Sequence, residues 1–141
     1  MTNQQTVSIQ VTHTFNASPE RVFDAWLDPD KARGWLFTTP NGEMIKVEID
    51  PQVGGRFTIV RRDGEDVEHV GEYLEIDRPR RLVFTFAVPK YSELYTTVAI
   101  DIEPLPTGCK LTLTHDGVLA EWAKPSEAGW GMILEGLEKS L

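Results

Sequence analysis

One stretch constrains this fold more than any other: residues 128–141 carry the only long helical period in a chain otherwise patterned as strands. Trp130, Leu134, Leu137 and Leu141 recur at spacings that bring them onto one face of a helix. An isolated helix of about 15 residues is marginal in water, so this apolar stripe must be buried against a partner. The strands are the available partner. A sheet with one long helix to cover it tends to curl round that helix, and the space left between them is a candidate pocket.

The strand pattern starts at Val7, Ile9, Val11, His13 and Phe15, which alternate with polar neighbours at the period of a half-buried strand. At Ser18-Pro19-Glu20 a capping residue precedes a proline and an acid, and Val22, Phe23, Trp26 and Leu27 then form the apolar face of a short helix. Asp28-Pro29-Asp30 repeats that grammar and opens a second short helix ending near Gly34-Trp35. Thr38-Thr39-Pro40-Asn41-Gly42 reads as a loop, and alternation resumes over residues 45–49. Gly54-Gly55 introduces residues 56–62, Asp63-Gly64 marks a tight turn, and residues 66–76 return as the partner strand. Residues 82–88, 95–102 and 109–115 supply the last three strands. Seven strands on mostly short connections predict an antiparallel meander. No repeat, low-complexity tract or linker interrupts the chain, and 141 residues suit one domain spanning residues 1–141.

Seven strands at about 4.8 Å spacing make a sheet roughly 30 Å wide, against about 10–12 Å for a helix with its side chains. One helix cannot cover that face. The remainder must curl inward or be closed by the two short helices, with Gly54-Gly55 and Gly71 as bend points. In residues 66–76, Val67, His69, Gly71 and Tyr73 share one parity, and Glu68 and Glu72, costly to bury, share the other. The first set is expected inward, together with Phe57, Ile59, Leu82, Phe84, Phe86, Leu111, Leu113 and His115. Apolar walls with a few polar tips are typical of small-molecule sites, although the same side chains can also fill the space by packing on one another.

Composition narrows the partners. With 22 acidic against 14 basic residues the net charge is −8, which opposes nucleic acid and anionic membrane faces. The one cysteine, Cys109, has no internal disulfide partner and suits a reducing cytoplasm. The polar start, residues 1–5, lacks a signal-peptide layout, and no run approaches the roughly 20 apolar residues of a membrane span. A cytoplasmic protein without membrane insertion, monomeric or homodimeric, is expected.

Several stretches, taken in order, resemble a known family. Phe15-Asn16-Ala17-Ser18-Pro19-Glu20-Arg21-Val22-Phe23 is similar to a strand-to-helix opening of the form A-P-x-x-x-V-[FW]. Val53-Gly54-Gly55-Arg56-Phe57, Gly71-Glu72-Tyr73-Leu74-Glu75-Ile76 with Arg81-Leu82-Val83-Phe84-Thr85, Leu111-Thr112-Leu113-Thr114-His115 and Gly129-Trp130 follow in matching order. The chain resembles the START-like (SRPBCC) superfamily, and within it the homologues of the activator of the ninety-kilodalton heat-shock chaperone ATPase, over about residues 7–141. The resemblance implies an α+β helix-grip fold: a curved seven-stranded antiparallel sheet wrapped around the C-terminal helix, with a hydrophobic cavity between them. It also implies a spread of functions, from binding lipids, sterols or polyketides, through aromatase and cyclase activity, to chaperone regulation. Fold alone does not choose among these. A chain of this length has no room for the additional N-terminal domain of the chaperone activators, which counts against a co-chaperone role. Many relatives carry a basic residue where this chain has His13 and a histidine where it has Ser126. No catalytic residue is shared across the family, so none is transferred and the catalytic residues stay unknown.

The candidate chemistry is sparse. His13 and His115 become neighbours if the first and last strands pair, but no closely spaced ligand pair supports a metal site, and separate core histidines are the expected outcome. No cofactor motif occurs. His69 and Tyr73, two positions apart on one strand face, are the expected polar anchors; as a general acid and base they would instead serve a cyclase or hydrolase. Trp35 and Trp122 are placed at an entrance, and Trp130 as both core and pocket wall. Arg56, Arg61 and Arg62 are weighed as a carboxylate-binding patch and read as solvated partners of Asp63, Asp66 and Glu68. The expected ligand is a small hydrophobic molecule lined by Trp35, Phe57, His69, Tyr73, Phe84, Phe86, His115, Trp122, Trp130 and Leu134.

Overall fold

Seven strands form one antiparallel sheet in the order β1-β7-β6-β5-β4-β3-β2 in the computed structural model, which describes residues 5–39, 41–92 and 94–141. The strands are β1 (Thr6–Phe15), β2 (Glu43–Ile49), β3 (Arg56–Asp63), β4 (Glu65–Asp77), β5 (Arg81–Phe86), β6 (Thr96–Leu105) and β7 (Gly108–Leu119). The helices are α1 (Pro19–Leu27), α2 (Pro29–Ala32) and α3 (Ala123–Ser140). Pro40, part of the loop read from sequence, lies outside the described residues. This is the expected helix-grip architecture, with two short helices after the first strand and the long helix last.

Local chemistry sets the boundaries. The Ser18 hydroxyl accepts from the Arg21 N–H at 3.2 Å and caps α1, with Pro19 in its first turn. Asp28 then ends α1 and caps α2, accepting from the Asp30 N–H at 3.0 Å. α3 begins five residues before the helix read from its apolar stripe. Its first turn holds Lys124, Pro125, Ser126 and Glu127, which carry no hydrophobic period, and proline is tolerated there because the first N–H groups have no intrahelical partner.

Strand parity decides what is buried. Val67, His69, Gly71 and Tyr73 point into the protein and Glu68 points out, as expected. Gly71 has a specific role: a Cβ there would overlap the Thr85 carbonyl and the Phe57 ring. Phe57 lies opposite Gly71 in the β3–β4 register, and its ring occupies the room that the missing side chain leaves. Trp130, Leu134 and Leu137 of α3 are buried, and the helix packs mainly over β1, with β7 beside it. α1 and α2 pack on β6 and β2. Among the described residues no helix is long and apolar enough to cross a membrane.

Candidate functional site

Because α3 covers the β1–β7 side of the sheet, an opening remains between the helix, the inner face of β3 to β5 and the segment after α2. It is a cleft of about 800 Å³. Its walls are the rings of Trp35, Phe37, Phe86 and Trp130 with Met132 and Ile133, and Gly129 and Gly136 give α3 a low surface there. Its polar groups come from Thr38, Thr39, Arg61, His69, Tyr91, His115 and Ser126, and among the described residues no acidic side chain lines it.

Of the residues expected to line the site, Trp35, His69, Phe86, His115 and Trp130 meet around this cleft. The structure places the others elsewhere. Phe57, Tyr73 and Phe84 surround a void of only about 10 Å³, so they are core packing. Leu134 is fully buried among core side chains. Trp122 is 57% exposed and borders a separate hollow of about 340 Å³ with Leu94 and Val118. His69 and Tyr73 therefore do not face one space, because the Phe57 ring fills the gap over Gly71 between them. Burial pushes the Tyr73 hydroxyl pKa up, which keeps it protonated.

His115 is committed on both ring nitrogens. The Trp130 indole N–H can only donate, and it reaches His115 Nδ1 at 3.0 Å. The Thr96 hydroxyl donates to the Phe86 carbonyl at 3.0 Å, so His115 Nε2–H donates to Thr96 Oγ1 at 2.7 Å. The ring is neutral, in the Nε2–H tautomer, and burial holds its pKa at about 4. This chain of bonds ties the Trp130 wall of the cleft to β6 and β7.

His69 is held differently. Its Nδ1–H donates to the Ile59 carbonyl at 3.2 Å, and burial, aided by the charge of Arg61, lowers its pKa to about 4. Phe37 stacks on the His69 ring at 4.4 Å and 7° and on Phe86 at 5.2 Å and 13°. To do so Phe37 adopts φ +59°, a left-handed conformation that costs a bulky residue roughly 1–3 kcal/mol. The sequence marks only a loop here; the fold-back that this φ permits makes Phe37 a wall.

The remaining candidates separate. β1 pairs with β7, but the register sets His13 opposite Leu111 and His115 opposite Ile9, and His13 instead meets Glu138 at 3.3 Å. Arg62 pairs with Asp66 across the β3–β4 turn as expected, whereas Arg61 meets no carboxylate among the described residues and lines the cleft. Among those residues no three His, Cys, Asp or Glu side chains converge as a metal site.

A curved antiparallel sheet gripping one long helix, with an aromatic cleft between them, defines the START-like class. The chain belongs to the family described as Activator of Hsp90 ATPase homolog 1-like protein, which matches it over residues 16–141. Among solved structures, a protein from Chromobacterium violaceum is 26% identical, with 94% of each chain covered and a TM-score of 0.84. An AHSA1-like protein from Aeromonas hydrophila is similar in fold, at 22% identity over 95% of this chain and 91% of that one, TM-score 0.84. So is a Staphylococcus aureus protein of unknown function, at 17% identity over 98% and 94%, TM-score 0.87. Comparison with the curated proteins finds no match.

Proposed function

We propose that the protein binds a small, largely apolar organic molecule in the cleft between the sheet and α3. The observation that carries this reading is the wall itself: the rings of Trp35, Phe37, Phe86 and Trp130 around about 800 Å³, with seven polar side chains between them and, among the described residues, no acid. Such a surface binds by burying apolar area and orients its ligand through a small number of hydrogen bonds. The histidines support holding over turnover. His115 has both nitrogens engaged, and both buried rings are neutral and weakly basic, which suits a wall better than a general base. A reducing, cytoplasmic setting fits the buried thiol of Cys109.

A thermal-shift screen of aromatic and acyl compounds tests this reading. A ligand at about 100 times its Kd adds about 2.7 kcal/mol, or roughly 5–10 °C for a chain of this size. A diverse screen that moves neither the melting temperature nor tryptophan emission overturns it. The family description and the exposed Tyr91, Leu94 and Trp122 favour a second reading, docking onto a larger protein. That reading expects a co-purifying protein that is lost on Trp122→Ser.

A further inference from the structure

Among the described residues Arg61 is the one formally charged side chain that lines the cleft, in a chain with 22 acids and 14 bases. Its surroundings differ from those of its neighbours. Arg62 presents its Nε and Nη2 to the two oxygens of Asp66 at 2.7 and 3.2 Å, and Arg78 grips Asp24 with the same edge at 2.8 and 2.9 Å. Arg61 spends only Nη1, on the Phe37 carbonyl at 3.4 Å. Its Nε is buried with no acceptor among the described residues. The acids nearest in sequence are already engaged, Asp63 by the Thr39 hydroxyl at 3.2 Å, Glu65 by Lys90 and Asp66 by Arg62.

The side chain is nonetheless held in place. A Cβ at Gly42 would sit 3.1 and 3.2 Å from Cγ and Cδ of Arg61, so the absent side chain at 42 makes room for the arginine stem. The Phe37 carbonyl that Arg61 engages belongs to the residue whose ring walls the cleft. A buried donor of a cationic group left without an acceptor is more costly than a neutral one. A guanidinium that lines an apolar cleft while its buried Nε lacks an acceptor among the described residues is thus an incompletely satisfied cation.

We propose that Arg61 anchors the carboxylate of an amphipathic monoanion whose apolar body lies against Trp35, Phe37 and Trp130. This deepens the binding reading and rests on it. A planar carboxylate matches the planar guanidinium in the two-bond geometry that Arg62 and Arg78 already use within this chain. One cation in a weakly polar cleft balances one negative charge, so a dianionic head group would be left partly unpaired. Among the described residues no acid lines the cleft, so the local repulsion of an anion is smaller there than the net charge of −8 presents elsewhere.

Matched probes test the anchor by isothermal titration: 2-naphthoate against 2-naphthylmethanol, and octanoate against octanol. The acid is expected to bind at least tenfold tighter than its alcohol, and Arg61→Met to shrink that ratio to twofold or less. Arg61→Lys, which keeps the charge and loses the fork, should give an intermediate ratio, and it carries the test if the Met variant does not fold. Alcohols that bind as well as acids, or a ratio unchanged in either variant, overturn the anchor and leave the cleft reading standing. Failure of both members of both pairs overturns the cleft reading, and the anchor with it.

Discussion

Two neutral buried histidines tie the stability of the cleft wall to pH. His69 and His115 are held at about 4 against an ordinary value of 6.5, in each case chiefly by burial. Between those values the unfolded chain binds more protons than the folded one, so stability falls as the pH drops from 6.5 to 4. At the steepest each ring contributes about 1.4 kcal/mol per pH unit. Asp24 and Asp66, held below 3.8 chiefly by bonds from Arg78 and Arg62, lose their contribution only at lower pH and do not blur this window. Urea midpoints should therefore decline between about pH 6.5 and pH 4.5, with about half that slope in His115→Gln; a flat profile would mean that the rings are charged in the folded protein. The inward direction of both rings was legible from strand parity. Their partners were not, since the tautomer of His115 depends on an indole 15 residues away. Nor was the divergence of Arg61 from Arg62, which follows from a register that sets Arg62 opposite Asp66 and Arg61 opposite Val67.

At the scale of elements, α3 sacrifices helix propensity where it borders the cleft. Gly129 and Gly136 lie one stripe away from the buried Trp130, Leu134 and Leu137 and line the cleft, Gly129 facing open space and Gly136 set against Trp35. The apolar period fixes the core stripe; that the neighbouring stripe faces a cleft is decided by how Trp35 and Phe37 fold back toward it. A Cβ at Gly129 meets nothing within 4 Å, so Gly129→Ala should raise stability by about 0.5–1 kcal/mol in thermal melts. Gly71→Ala should do the reverse, costing about 1–3 kcal/mol, because the added methyl meets the Thr85 carbonyl and the Phe57 ring. Equal effects at the two positions would contradict the division between open cleft and packed floor.

At the scale of the whole molecule, the cleft and the hollow beside Trp122 share a wall, a division that period and parity do not reveal. Period and parity place side chains on the inner face, but that face includes both the packed floor at Phe57, Tyr73 and Phe84 and the cleft at His69 and Phe86. Phe86, Val88, Tyr91 and His115 border the cleft and also the smaller hollow beside Trp122. The tryptophans separate the two spaces: Trp35 and Trp130 line the cleft alone, and Trp122 the hollow alone. Exposure separates them again, at 1% and 4% for the cleft pair against 57% for Trp122, with Trp26 at 2%. Trp26 packs 4.7 Å from Trp35 and 6.5 Å from Trp130, so the three buried rings report together. Acrylamide should quench Trp122 and little else, and Trp122→Phe should abolish that quenching. Octanoate seated in the cleft should alter the emission that persists in Trp122→Phe and leave the acrylamide-sensitive component of the parent protein unchanged. If octanoate instead shields Trp122 and leaves the buried emission untouched, the ligand occupies the outer hollow, and neither the aromatic wall nor Arg61 is its site.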